Sequence, residues 1–422
     1  MGIDHLCSVI NDEAPGVVTS CHLSVLNGFY IAVDISIFLY KYIRTAGGDY
    51  WVNVFISFLC KFIKHNIVTV CIFDGPNPPI EKKLEQVSRR ENVAKSIDKM
   101  TKLQECKRIL DEDYRDDMEV ADDLVGRIKD LLKSPVKPDT TNYHNLQSIK
   151  DNVAEKIEKL KNQTIAITSD HKNIAFRIVE LMGLHAIEAD GEAEALCSHL
   201  AREGIVHGVL TEDTDCLVYG SPFTFTYKKF TLNDEQVVVY HLVSILNAMG
   251  MTHEMFIDMC IMLKCDYNRR TYSECSSSSE SPKSEPTKIR GRMPDEEGNP
   301  IVPKKGGDIA IGTKKMLEMI KRFGSFENCK RYLTNPEALR YERCKEIFTT
   351  FPPLPFKEMF KRNLQPNVEE LEKFIGTMDV YVNFAIVRNL TNPTPVKFED
   401  ASSDSEDDLS SLSDDDNEEI KT

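Results

Sequence analysis

The chain has 422 residues, 41% of them hydrophobic, 28% charged, and a formal net charge of −15. That hydrophobic share sustains a sizeable core and more than one structural unit. No apolar run approaches the roughly eighteen residues that a membrane span requires, so no membrane-spanning helix is expected.

The opening "MGIDHLCSVI" lacks the basic-then-apolar build of a secretory leader, and Leu6 stands where a myristoylation pattern needs Ser or Thr. The twelve cysteines contain no C-x-x-C pair, and Cys71, Cys197 and Cys260 lie in apolar segments. They read as reduced core residues of an intracellular protein. The net charge does not exclude nucleic acid, because it is unevenly spread. Residues 399–422 hold eleven acids and one lysine, which leaves −5 for the rest. Without seven further carboxylates nominated below, the remainder is about +2, compatible with basic patches that bind phosphates.

Along the chain, "FYIAVDISIFLY" predicts a core strand, Tyr30 to Val33, that stops at Asp34. "VNVFISFLCKFIKH" follows as a helix, and then a second strand, Val68 to Phe73, runs into Asp74 and a Gly-Pro turn. Residues 81 to about 160 are charged, and Leu84, Val87, Ala94 and Ile97 at roughly helical spacing predict an amphipathic helical insertion. "SPVKPDTTNYHN" breaks it, and "QTIAITSD" suits either a strand or a helix. "EADGEAEALCSHL" opens a helix with Glu192 and Glu194, and the strand "IVHGVL" leads to Asp213 and Asp215. "HEMFIDMCIMLKCDY" is a strong helix ending near Asp266. The serine-rich stretch after it is expected to be disordered, as is the acidic C-terminal tail. Strands alternating with helices imply an α/β fold with a mostly parallel sheet. Ligands of such sheets bind beyond the carboxyl ends of the strands, where Asp34, Asp74 and Asp213 would converge.

Singly, each acid has an ordinary explanation. An Asp at a strand end commonly caps a turn or helix, and acids favour a helix's first turn. Together, Asp34, Asp74, Glu192, Glu194, Asp213, Asp215 and Asp266 would repel one another in one pocket unless they protonate or bind cations. All-oxygen ligation suits two Mg²⁺ ions, with Mn²⁺ as a substitute, rather than zinc. Two such ions roughly 4 Å apart serve phosphodiester hydrolysis.

The chain resembles the flap endonuclease family of structure-specific 5′ nucleases, which includes the xeroderma pigmentosum group G nuclease. The residues that carry the likeness are "MGI", "VDIS" around Asp34, "FDG" around Asp74, "DGEAEALC", "TEDTDCLVYGS" and "LKCDY", in family order. The resemblance implies a PIN-like α/β nuclease core with a helical arch and a C-terminal helix-hairpin-helix domain. The matching boundaries are 1–80 and 165–267 for the core, 81–164 for the arch, and 268–306 for a disordered insertion. Residues 307–395 would form the DNA-binding region and 396–422 the acidic tail. The likeness assigns Asp34, Asp74, Glu192 and Glu194 to a first metal cluster, and Asp213, Asp215 and Asp266 to a second. It places Lys82 and Arg89 on the arch's first helix facing the scissile phosphate, where their i, i+7 spacing shares a face. It matches Tyr40 to an aromatic that stacks on a terminal base.

"GDIAIGTKK" is similar to a helix-hairpin-helix, with Gly312, Lys314 and Lys315 on the duplex backbone. Ala310 and Thr313 depart from the family's usual glycine and proline. The family's sliding-clamp motif is not found. The implied activity is cleavage of 5′ flaps, with 5′-to-3′ exonuclease activity, on branched double- and single-stranded DNA, by a monomer in the nucleus or at a viral replication site. The missing clamp motif, the insertion and the divergent arch suit a large DNA virus or a divergent eukaryote. Ser403, Ser405, Ser411 and Ser413 each precede an acid by three residues and suit an acidophilic kinase, and the tail is expected to compete with DNA for the basic surface. Rival readings are a bubble or junction nuclease, a non-catalytic branched-DNA scaffold, and a phosphatase built on "DTDCL", which would leave Glu192 and Glu194 unexplained.

Overall fold

Two continuous runs of apolar and β-branched residues, β2 (Tyr30–Asp34) and β3 (Val68–Phe73), lie side by side and parallel, with Asp34 opposite Ile72. Every residue of β2 is buried, as are five of the six in β3, the pattern of a parallel strand covered on both faces. In this computed structural model the described residues are 2–46, 50–114, 120–132, 146–228, 234–268, 290–291, 309–310, 312–354, 364–378, 380, 382, 384, 387 and 388. The acidic tail and nearly all of segment 268–306 lie outside them.

The sheet has seven strands in the order β1-β7-β6-β5-β2-β3-β4, completed by β1 (Thr19–His22), β4 (His185–Glu188), β5 (Gly208–Leu210), β6 (Phe223–Tyr227) and β7 (Gln236–His241). The five strands from β6 to β4 pair in parallel, and β7 and β1 close one side antiparallel. The mostly parallel sheet read from the sequence is therefore present. On one face, helix α8 (Ala193–Arg202) sets Leu196, Cys197 and Leu200 against Ala32, Val70, Ile72 and Val209. Because side chains alternate along a strand, Asp34 shares that face with Tyr30 and Ala32. Aromatic packing joins α2 (Ile35–Ala46) to α3 (Trp51–Lys64), with Phe38 and Phe58 ring centroids 4.9 Å apart.

The chain divides into two compact units, and Lys41–Trp51 with Gln86–Thr168 form the second. Its core joins the C-terminal half of α4 (Ile80–Glu112) to α5 (Asp122–Leu132) and α6 (Leu146–Thr164) through Leu103, Cys106, Leu110, Leu124, Ile128, Ile149 and Val153. Of the apolar face expected near the start of α4, the Leu84 side chain lies outside the described residues, and Val87, Ala94 and Ile97 are exposed. Val87 and Ile97 are 42% and 44% exposed, because α5 and α6 cover only the far half of this 33-residue helix. Exposed i, i+4 pairs such as Lys102–Asp98 and Lys107–Asp111 support it instead. "QTIAITSD" is neither strand nor a single helix: α6 ends at Thr164, 165–168 connect, and α7 (Ser169–Leu181) begins.

In the first unit, α9 (Asp215–Val218) and α10 (Leu242–Met249) lead to α11 (His253–Leu263), buried from Phe256 onward. Around it pack α12 (Thr313–Phe323), α13 (Phe326–Lys330) and α14 (Tyr341–Thr349). Buried Asp258 of α11 ties α13 and α14 to it, accepting from the Phe326 N–H at 2.8 Å and the Tyr341 hydroxyl at 2.6 Å. Inside the segment expected to be without order, Arg290–Gly291 pairs antiparallel with Ile309–Ala310, a backbone ladder that needs no apolar composition.

Candidate metal centre

Strand order explains where the acids meet. From β2 the chain crosses to β3 and β4 on one side, and from β5 to β6 on the other, so a crevice opens beyond the ends of β2 and β5. Asp34 is the last residue of β2, Asp74 the first beyond β3, and Asp213 the third beyond β5. Asp215 opens α9, Glu192 is the N-cap residue of α8, and Glu194 lies in its first turn. The Glu192 side chain makes no capping bond, which leaves its carboxylate for the crevice.

The side chains converge. Ligand oxygens of Glu194, Asp213 and Asp215, all buried, lie within 4.8 Å of one another. The Lys82 ammonium, at the start of α4, sits 2.9 Å from Glu192, 3.1 Å from Glu194 and 3.3 Å from Asp266. Thr211 donates its hydroxyl to Asp34 at 3.0 Å and accepts from the Asp213 N–H at 3.0 Å, pinning two rim acids with one side chain. The Tyr267 hydroxyl donates to Glu192 at 2.8 Å and meets the Tyr219 hydroxyl at 2.9 Å. Asp34 also receives the Ile37 N–H at 3.4 Å, a weak helix cap beside its place in the cluster.

One ammonium does not balance so many acids. Burial, then Glu194, Asp74 and Asp213, push the Asp34 carboxyl well above its ordinary range. Burial and Glu194 raise Glu192 to about 8 against the pull of Lys82. Asp213 and Asp215 are raised as well, first by burial. Asp215 is fully buried, and neither carboxylate oxygen has a hydrogen-bond partner among the described residues. Gly2, at φ +87°, lines the same pocket. A Cβ there would come within 2.2 Å of Asp213 Oδ1 and 2.7 Å of Asp215 Oδ1, so only glycine leaves this space open. An all-oxygen donor set, orphaned buried carboxylate oxygens and a cradle that a Cβ would fill together fit hard divalent cations.

The other nominated residues lie differently. Asp74 is exposed and spends Oδ1 on the Ala193 N–H, at 2.9 Å, anchoring the first turn of α8. Arg89, half-buried on α4, belongs to the second unit. Tyr40 is half-buried on α2. Gly312 is the exposed N-cap residue of α12, at φ −85° with open space where a side chain would stand, so neither backbone conformation nor crowding demands glycine there. Lys314 is exposed and Lys315 half-buried.

Three contributions escape sequence reasoning. Thr211 and Tyr267 stand inside recognised motifs without being chemical candidates themselves. The third is a buried carboxylate, Glu81, gripped by Arg340 at 3.0 Å and Arg343 at 3.2 Å. Arg340 also donates to the Tyr267 carbonyl at 3.4 Å. The residue before Lys82 and the residue after Asp266 are thereby fastened to the turn that opens α14. No local pattern connects residues more than 250 positions apart.

The chain matches the XPG N-terminal domain over residues 1–96 and the XPG I-region over 183–266. It is 24% identical over 396 residues to flap endonuclease 1 of Mus musculus, covering 89% of this chain and 82% of that protein. With flap endonuclease 1 of Cryptosporidium muris it shares 27% over 428 residues, covering 94% and 72%. Among solved structures, the catalytic core of Rad2 in complex with DNA substrate superposes with a TM-score of 0.53 at 16% identity, covering 92% of this chain and all of that one. Flap endonuclease-1 from Methanococcus jannaschii gives 0.50 at 18%, covering 89% and 95%. Human GEN1 in complex with Holliday junction DNA gives 0.50 at 14%, covering 92% and 78%. These superpositions establish a shared fold.

Proposed function

The chain belongs to the flap endonuclease and xeroderma pigmentosum group G family of nucleases, and from that premise we propose that it hydrolyses DNA at the base of 5′ flaps. The observation that carries this reading is the convergence of Glu194, Asp213 and Asp215 within 4.8 Å of one another at the sheet rim. Asp34, Asp74, Glu192 and Glu194 would hold one Mg²⁺, and Asp213, Asp215 and Asp266 a second, with Mn²⁺ a substitute. Ions held there would supply an activated water and neutralise the leaving oxygen.

The protein's own groups prepare that chemistry. Thr211 links the Asp34 carboxylate to the Asp213 backbone, and Tyr267 donates to Glu192. The Lys82 ammonium, held by three of the same acids, is the cation these carboxylates would exchange, and its release toward a phosphate suits the role the family gives it. Arg89 would add charge at the scissile phosphate, and Tyr40 would stack on a base. Gly312, Lys314 and Lys315 would meet the duplex backbone. Recognition would then depend on shape and phosphates, with strong salt dependence. We read the protein as a monomer acting in the nucleus or at a viral replication site.

A labelled 5′-flap duplex, with single-strand, bubble and four-way-junction controls, tests this directly. Cutting at the flap junction in Mg²⁺, absent in EDTA and lost in Asp213→Ala with binding retained, is the expected result. Mg²⁺-dependent cutting that survives in Asp213→Ala rejects the site. Preference for the junction control moves the substrate within the family, and binding without cutting indicates a scaffold.

Glu81 supplies a second test. Glu81→Gln loosens the Arg340–Arg343 grip next to Lys82, and is expected to slow single-turnover cleavage about 10–100-fold while flap affinity changes by less than about threefold. Equal losses in cleavage and affinity would show a merely structural role.

A further inference from the structure

A second group of metal-ligating side chains shares no residue with the carboxylate cluster. His22 is the last residue of β1, and Glu235 immediately precedes β7, whose Gln236 is the register partner of His22. His65 follows the last residue of α3. His22 Nε2 lies 3.1 Å and His65 Nε2 3.0 Å from the same oxygen, Glu235 Oε2. The three ligand atoms all fall within 4.8 Å of one another, and the two imidazoles meet edge to face with centroids 5.2 Å apart.

Two histidines and a carboxylate form a donor set that zinc uses. Bonds of about 2.0–2.1 Å in tetrahedral array separate neighbouring ligand atoms by about 3.3 Å, so the two nitrogen-to-oxygen spacings, 3.1 and 3.0 Å, need to widen by only a few tenths of an ångström to admit an ion. Outer partners are in place as well. Lys64 Nζ lies 2.8 Å from Glu235 Oε1, the oxygen that faces away from the histidines, and Ser24 Oγ lies 2.9 Å from His22 Nδ1. Ligating carboxylates and imidazoles are commonly held by such contacts through their other polar atom. The His22 side chain is 40% exposed, which leaves an entry path and a fourth position for water.

Charge does not forbid the ion. Lys64 and Lys61 face Glu235 and Asp234, a locally neutral set, and Lys61 is held on the Asp234 carbonyl at 2.7 Å. Lys64 also approaches Oε2, at 3.0 Å, and its half-exposed side chain can keep Oε1 alone. Without an ion, the Ser24 N–H, 3.2 Å away, donates to His22 Nδ1, so Nε2 carries the proton and donates to Glu235. Ligation moves that proton to Nδ1, which gives up the bond from the Ser24 N–H and donates instead to Ser24 Oγ, 2.9 Å away, and the metal takes the lone pair freed on Nε2.

We propose that His22, His65 and Glu235 form a three-ligand site for a zinc-like transition-metal dication, tying the edge strand β1 and the start of β7 to the end of α3. The nitrogen donors separate this site from the oxygen-only cluster, which prefers Mg²⁺.

The test uses the full chain, stripped of metal and then held in excess Mg²⁺ to occupy the carboxylates. Zn²⁺ is titrated in competition with a chromogenic chelator, and Co²⁺ is added separately for its visible spectrum. Wild type and Asp215→Asn should each take up one equivalent and show the intense bands of low-coordinate cobalt. His22→Ala/His65→Ala should lose both signals, and Ser24→Ala should weaken zinc binding about tenfold. His22→Gln retains a hydrogen-bond donor toward Glu235, so it should lose the cobalt bands while melting with metal-free wild type. Zinc uptake unchanged in the double variant, abolished by Asp215→Asn, or absent from wild type would overturn the assignment.

Discussion

Asp215→Asn is expected to abolish flap cleavage and yet raise the melting temperature of the metal-free protein. Asp215 is fully buried, its two oxygens have no hydrogen-bond partner among the described residues, and Asp213 and Asp266 add like charge beside it. Such a carboxyl must either stay charged without a partner or take up a proton on folding, both of which cost stability near neutral pH, and replacing it with a neutral isostere recovers about 1–3 kcal/mol. The same substitution removes a ligand oxygen and the charge that draws in a cation, which lowers turnover on the order of 10³-fold or more. Stability and activity therefore move in opposite directions. That opposition distinguishes a functional carboxylate from a structural one, whose loss would lower both. Thermal melts in EDTA with single-turnover assays in Mg²⁺ read the two quantities separately. A variant that cleaves normally and melts unchanged would remove Asp215 from the site.

The rim acids were legible because buried strands announce themselves. Tyr30–Val33 and Val68–Phe73 are too apolar to end on a charge without reason, and the parallel topology then sends Asp34 and Asp213 to one crevice. Periodicity was a poorer guide on α4. Helical spacing shows that a face exists, not which part of it finds a neighbour, so Val87 and Ile97 are exposed while Leu103 and Leu110 are buried. The i, i+7 relation of Lys82 and Arg89 was visible too, but not the withdrawal of Lys82 among Glu192, Glu194 and Asp266. The grip of Arg340 and Arg343 on Glu81 had no signal at all, because charged residues in an amphipathic helix are ordinarily solvated and nothing marks these two as different.

Mg²⁺ is expected to raise the melting temperature by an amount that grows with pH. Burial, then neighbouring acids, lift the Asp34, Asp213, Asp215 and Glu192 carboxyls above their unfolded values, Glu192 to about 8. The folded protein therefore holds protons that the unfolded chain releases near the ordinary carboxyl range of about 4. Where the native state binds more protons, stability falls as pH rises, so the cluster's own contribution should weaken from about pH 4.5 to pH 8, while His185, His207 and His253, whose burial lowers their affinity for a proton, add a rise that is complete above about pH 6.5. Lys82 acts in the opposite sense. Its neighbouring carboxylates raise its affinity for its proton despite the opposing effect of burial, so its contribution is complete below its unfolded value of about 10.5 and lost only at higher pH. Over pH 5 to 8.5 Lys82 adds no slope and the histidine contribution is common to melts with and without Mg²⁺, so the carboxyls set the gap between them. A divalent cation replaces the protons they hold, so it contributes least at pH 5, where protons already neutralise the cluster, and most at pH 8.5. Melts in EDTA and in Mg²⁺ should diverge by several degrees more at the upper end. A gap that stays constant with pH would mean that cation binding displaces no protons from these acids, and the stabilising ion would then have to lie elsewhere.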